Sequence, residues 1–207
     1  MAPTTIERRR RSDGERSRQA ILREAARLAT VEGLEGLSLG RLADAVGMSK
    51  SGLFAHFRSK EELQLATVAT ADEVFDELVI EPAQQAAPGL ARLTAYAEGF
   101  VGHVRESVFP GGCFFASVAA ELDTRPGPVR DRAMHVVMRW SGLLQREVAA
   151  AQAAGELDIS LDPAQIGFEL NAYLLLGNAQ YIAGGDEIAL ERAMRAFTSR
   201  LEAARAR

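Results

Sequence analysis

Residues 38–63 read SLGRLADAVGMSKSGLFAHFRSKEEL, and this stretch decides the fold. Ala43, Gly47 and Leu53 stand at the spacings of two short helices joined by a tight turn. The small side chain of Ala43 lets a second helix approach the first. Gly47, four positions on, can take the positive φ that such a turn requires. Leu53, six positions further, plugs the second helix onto the first. Ser38 and Ser49 are suited to cap the two helices, and Ser59 with Glu62 spells a capping box for a third. A helix-turn-helix presents its second helix to the DNA major groove, so these residues argue for a function as well as a fold.

Upstream, residues 1–14 read as a basic disordered arm carrying Arg8, Arg9, Arg10 and Arg11. Ser12 and Glu15 fit a capping box for a first helix running to about Glu32, with Ile21, Ala25, Leu28 and Ala29 inward. Residues 15–62 then form the helix-turn-helix domain. Downstream, a fourth helix is expected from Lys60 to about Val79, with Leu63, Ala66, Val74 and Leu78 inward. Glu81-Pro82 and Ala87-Pro88-Gly89 interrupt the pattern, and 63–207 is expected to form a second, larger helical domain. Its helices fall at about 89–107, 113–122, 129–154, 162–183 and 187–204, separated by Gly- and Pro-rich stops. No stretch alternates as a strand does, so the expectation is an all-α fold of about nine helices.

Charge divides the chain in the same way. Residues 1–60 hold 12 Lys/Arg against 7 Asp/Glu, a net of +5, and residues 61–207 hold 12 against 21, a net of −9. A basic end beside an acidic remainder directs only one face to phosphates. The single Cys113 excludes an internal disulfide. His56, His103 and His135 are too far apart for an i, i+4 metal pair. No cofactor and no metal are expected. The N-terminus lacks the apolar segment of a secretory signal, and no run approaches membrane-span length. A cytoplasmic protein without a membrane partner is the expectation. There is no G-x-S-x-G, no H-E-x-x-H and no phosphate-binding glycine loop, which leaves an enzyme as a remote alternative.

An N-terminal helix, this helix-turn-helix, the run SKSGLFAHFRSKEEL and an all-helical remainder together resemble the TetR family of transcriptional regulators. The match is close from Arg16 to Leu65. The segment GGCFFASVAAELDTRPGPVRD is similar to one of the family's ligand-binding subtypes. The resemblance implies a homodimer on a palindromic double-stranded DNA operator, with the third helix of each subunit in the major groove. It implies a repressor released when a small molecule moves the fourth helix. A transcriptional activator, or a DNA-binding protein without an effector, is the alternative.

On that resemblance the DNA contacts are Ser38, Arg41, Ser49, Lys50, Ser51, Gly52, Phe54, Ala55, His56 and Lys60. Lys50 suits guanine O6/N7 and Ala55 a thymine methyl. Phe54 stands where the family usually has tyrosine, so the hydroxyl contact to phosphate is missing. Lys60 opposes its own helix dipole, which suggests a phosphate there. The effector site is expected among Phe100, His103, Phe114, Phe115, Met138, Trp140, Asn171 and Tyr173, for a largely apolar small molecule. Gln180 is a further polar candidate. A four-helix dimer interface is expected from Leu170, Leu174, Gly177, Ile182, Leu190, Met194, Phe197 and Leu201.

Overall fold

A computed structural model of the chain describes residues 5–122 and 124–206, with side chains from residue 14 onward. Helix α1 spans Thr5–Glu32. It therefore begins ten residues before the expected Glu15, and Ser12 lies inside it rather than at its cap. The arginines of the expected arm, Arg8 to Arg11, lie outside the described side chains. Next come α2 (Leu39–Ala45), α3 (Lys50–Phe54) and α4 (Lys60–Phe75). The second half contains α5 (Leu90–Arg105), α6 (Phe114–Leu122), α7 (Pro128–Ala153), α8 (Pro163–Gly184) and α9 (Ile188–Ala203). The fold is all-α, and no strand occurs among the described residues.

A serine starts each of α2, α3 and α4. Ser38 Oγ accepts from Arg41 N–H at 3.1 Å, Ser49 Oγ from Gly52 N–H at 3.1 Å, and Ser59 Oγ from Glu62 N–H at 3.0 Å. Glu62 reaches back one residue further than a standard capping box and accepts from Arg58 N–H at 2.9 Å. α2 ends in a Schellman turn: Gly47 has φ +67, Gly47 N–H donates to Asp44 O, and Met48 N–H donates to Ala43 O. Ile21, Leu22, Ala25, Ala26, Leu34, Leu37, Leu42, Ala43, Leu53, Phe57 and Leu63 are buried together as the core of this first unit.

The helix begun by α4 does not stop at Glu81-Pro82. It widens into a π turn at Asp76–Ile80 and continues through Glu81–Ala83. In a regular α-helix the Pro82 ring would collide with the Leu78 carbonyl and leave it without a donor. The wider turn relieves that collision: Glu81 N–H donates to Asp76 O, five residues back. The extra residue also rotates the register, so Leu78 is exposed while Val79 and Ile80 point inward. α4 packs on α1 at one end and on α7 at the other, so it belongs to both halves.

α8 is the centre of the second half, packed between α7 and α9. Two glycines permit this. A Cβ on Gly167 would lie 3.2 Å from Gln145 N on α7, and one on Gly177 would lie 2.5 Å from Ala193 Cβ on α9. No helix among the described residues is long and apolar enough to cross a membrane.

Candidate functional site

The exposed side of α3 and its flanks carries Ser49, Lys50, Ser51, Phe54 and Ala55, with Gly52 and His56 half-buried behind them. Leu53 and Phe57 face the core. Phe54 is 54% exposed, an apolar ring left in water on a short polar helix. Ser49 Oγ is occupied as the helix cap. Arg58, which the sequence reading passed over, is exposed beside His56 and Lys60. Two of the expected phosphate ligands have partners inside the protein. Arg41 makes a two-pronged contact to Glu32 of α1, at 3.0 and 2.8 Å. Lys60 Nζ donates to Glu35 O at 2.6 Å and lies 3.6 Å from the Glu35 carboxylate. The structure thus supplies the local role for Lys60 that the helix dipole alone did not.

That Lys60 contact belongs to a junction. The α1–α2 turn at Gly33, Leu34 and Glu35 has its backbone groups held by side chains of two other helices. From α4, Gln64 Nε2 donates to Leu34 O at 3.0 Å, beside the Lys60 contact to Glu35 O. From α6, the Glu121 carboxylate accepts from Leu34 N–H and from Glu35 N–H, each at 2.7 Å. At Gly33, φ +81, a Cβ would lie only 3.0 Å from Glu121 Oε1, so glycine leaves room for the carboxylate against the turn. The α5–α6 loop adds a second strap: Gly111 N–H donates to Thr30 Oγ1 at 3.1 Å, and Arg27 donates to Val108 O at 3.2 Å.

Behind the junction lies a cavity of about 520 Å³. Its walls are Phe75 at the end of α4, Phe100 on α5, Cys113 beside α6, Phe115 and Ser117 on α6, Val136 and Trp140 on α7, and Asn171, Asn178 and Ile182 on α8. The aromatic end is well ordered geometrically. Phe75 meets Trp140 edge-on at 5.3 Å and Phe115 edge-on at 6.3 Å, while Phe100 and Trp140 stack at 6.0 Å. Trp140 Nε1–H donates to Asn171 Oδ1 at 2.9 Å, and Cys113 N–H donates to Asn178 Oδ1 at 2.9 Å. Burial pushes the Cys113 thiol pKa up, which removes thiolate reactivity. Just outside the cavity, Arg139 of α7 bridges Asp72 of α4 and Asp76 of the π turn, and Arg132 also holds Asp72. Burial is the main cause of the raised Asp72 pKa, ahead of the opposing pull of Arg139.

The first unit matches the family model described as bacterial regulatory proteins, tetR family, over residues 21–67, and residues 89–197 match the tetracyclin repressor-like C-terminal domain. The chain belongs to the TetR family of transcriptional regulators. Among relatives it is similar to the HTH-type transcriptional regulator TcmR of Streptomyces glaucescens, 27% identical over 151 residues, which are 72% of this chain and 65% of TcmR. It is 46% identical over 50 residues to the HTH-type transcriptional repressor AcnR of Corynebacterium efficiens, over 24% of this chain and 27% of AcnR. A TetR transcriptional regulator from Chloroflexus aurantiacus superposes with a TM-score of 0.86 at 23% identity, covering 95% of this chain and all of that one. The family and its structural neighbours are transcriptional regulators, not enzymes.

Against this TetR frame, half of the expected effector residues line the cavity: Phe100, Phe115, Trp140 and Asn171. The other four do not. Met138 is 69% exposed, on the opposite side of α7. Phe114 is buried in the core against Phe109 and Phe115. Tyr173 is half-buried on α8 outside the lining. His103 sits behind Phe75 and Phe109, 4% exposed, with its Nδ1 unpartnered among the described residues. Burial lowers its pKa to about 4. Gln180 is exposed. The polar groups that do line the cavity and went unread in the sequence are Asn178 and Ser117. Both became visible only when the α5–α6 loop was placed against α8.

The expected dimer residues need a larger correction. Leu170, Leu174, Leu190, Phe197 and Leu201 are buried inside the protomer, where α8 and α9 pack on each other. Gly177 serves that same contact, and Met194 is half-buried against the same core. Only Ile182 is exposed, at the cavity. The apolar residues that α8 leaves in water are Phe168, Leu175, Leu176 and Ile182.

Proposed function

We propose that this chain is a cytoplasmic, ligand-responsive repressor that binds a palindromic operator as a homodimer and leaves it when a small, largely apolar molecule fills the cavity. One observation carries the reading. The last residue of α4, Phe75, is a wall of the cavity, while the first turns of the same helix hold the Leu34–Glu35 turn of the reading head. A molecule that displaces Phe75 therefore acts on the helix that positions α3. α6 supplies a parallel route: Phe115 and Ser117 line the cavity, and Glu121, one turn beyond, grips the same turn.

DNA is met by Lys50, Ser51, Phe54 and Ala55 at base edges and by His56, Arg58 and the α4 start at phosphates. Arg41 and Lys60 reach phosphate by exchanging their contacts to Glu32 and Glu35, and Ser38, Ser49 and Gly52 shape the helix starts. Dimerisation uses the exposed α8 stripe of Phe168, Leu175, Leu176 and Ile182, whose spacing places it on one helix face. Leu175 and Ile182 also border the cavity, so the partner helix would stand beside its mouth.

The test is fluorescence anisotropy of labelled DNA from upstream of the chain's own gene, titrated in rising salt and with candidate effectors. Sequence-specific, salt-sensitive binding that an effector reverses is expected. Leu176→Asp should yield monomers in sedimentation velocity and lose the operator. Phe75→Ala should bind effector in calorimetry yet need much more of it to release DNA. Release that is unaltered in Phe75→Ala would defeat the α4 route.

A further inference from the structure

From the hydrogen-bond inventory of the cavity we infer the chemical class of its occupant: an uncharged, ring-containing molecule with oxygen acceptors at two separated positions. The inference rests on the reading of this cavity as the effector site. Its basis is the orientation of two amides. The partners of Asn171 and Asn178 are Trp140 Nε1–H and Cys113 N–H, and both can only donate. Each side-chain carbonyl is therefore committed to the protein. Each NH2 group is left as a donor with no hydrogen-bond partner among the described residues, on a side chain that lines the cavity. Gly112, where a Cβ would come within 2.3 Å of Asn178 Oδ1, keeps the loop tight against Asn178 and the amide fixed.

The two amides stand seven residues apart on α8, about 10 Å along the helix axis at 1.5 Å per residue. A single carbonyl cannot serve both, and an elongated molecule with an oxygen toward each end can. The remaining polar lining is neutral. Ser117 Oγ lies within hydrogen-bond reach of two carbonyls, Gly111 O and Cys113 O, so its proton is committed, and the Cys113 thiol stays protonated. Among the described residues, no Lys, Arg, Asp or Glu lines the cavity. A carboxylate or ammonium group would find no counter-ion among these lining side chains. Phe75, Phe100, Phe115 and Trp140 supply faces and edges for a flat ring system.

Trp140 is the only tryptophan and lines the cavity, so quenching of its fluorescence reports occupancy in the intact protein. Three probes of similar shape separate the alternatives: a flavone with a methoxy group at its far end, phenylnaphthalene without acceptors, and the flavone carrying a carboxylate in place of the methoxy group. The methoxyflavone should bind about thirtyfold tighter than phenylnaphthalene, the sum of two ordinary hydrogen bonds. The carboxylate should fail to quench at concentrations that saturate with the methoxy compound. Asn171→Leu and Asn178→Leu should each remove part of the methoxyflavone advantage and leave phenylnaphthalene affinity unchanged; the wild-type comparison stands without either variant. Equal binding of the carboxylate, or no quenching by any neutral probe, overturns the class. Operator release by a probe that leaves Trp140 unquenched overturns instead the reading of this cavity as the effector site.

Discussion

The reading head and the cavity satisfy their polar groups in opposite ways. In the head, each helix start is capped from three residues away: Ser38 to Arg41, Ser49 to Gly52, Ser59 to Glu62. In the cavity, the two amides are engaged by residues far away in the chain, Trp140 to Asn171 and Cys113 to Asn178. The Glu121 grip on Leu34 and Glu35 joins the two regions across a still longer separation. The head is a local object carried on α4, and the cavity exists only once five helices have met. A chemical signal can therefore change the second without unfolding the first.

Four perturbations break or sharpen this contrast, in falling order of effect. Phe57 is fully buried in the head, with the Arg18 guanidinium 5.0 Å from its ring centre. Phe57→Ala should cost about 3–5 kcal/mol and abolish DNA binding. Because the head is local, Trp140 fluorescence should keep its native response to the neutral probe. Loss of both together would show that the two regions unfold as one.

His103 tests the cavity region alone. Its pKa falls from 6.5 to about 4 on folding, so the unfolded chain binds a proton that the folded chain refuses between those values. Stability must then decline as pH falls from 6.5 toward 4, by on the order of 3 kcal/mol from this group. Asp72 acts with the opposite sign: its raised pKa means that its own contribution weakens as pH rises above 3.8. Urea denaturation of His103→Leu should show a flatter acid limb than the wild type. An unchanged limb would mean that the histidine is not held neutral.

Glu121→Gln probes the link between the regions. It keeps one acceptor oxygen but removes the charge, and charge-assisted bonds to the two amides are worth about 1.5–3 kcal/mol. We expect part of that loss, about tenfold, in the operator affinity or in its response to effector, with unaltered probe binding at Trp140. A change in probe binding alone would place Glu121 in the cavity rather than in the link. The smallest effect belongs to Met138→Ser. The side chain is exposed on α7, so probe affinity should stay within about twofold, since surface changes rarely exceed 0.5 kcal/mol. A larger loss would restore Met138 to the effector site.

The same contrast explains what could be read early. Every helix from α5 to α9 falls within about two residues of its expected ends, because Gly, Pro and capping residues act on their immediate neighbours. The π turn was not legible: Pro82 announced a break, and only the packed helix chose to widen instead. Met138 and Trp140 looked alike as apolar residues of one helix. A two-residue step turns the chain by more than half a circle, which put one in water and the other in the cavity.

α8 shows the limit most plainly. Its sequence, PAQIGFELNAYLLLGNAQYIAG, is apolar on nearly every side, so no periodicity singles out one face. The sequence by itself determined the helix-turn-helix, the order of the longer helices and the family, because capping and turn formation depend on residues within a few positions of one another. Only the tertiary structure decided which side of α8 meets α9, which meets the cavity and which stays exposed. It likewise decided which way the Asn171 and Asn178 amides face. Those outcomes depend on partners tens of residues away, whose approach is set by packing and by the demand that buried polar groups find a partner.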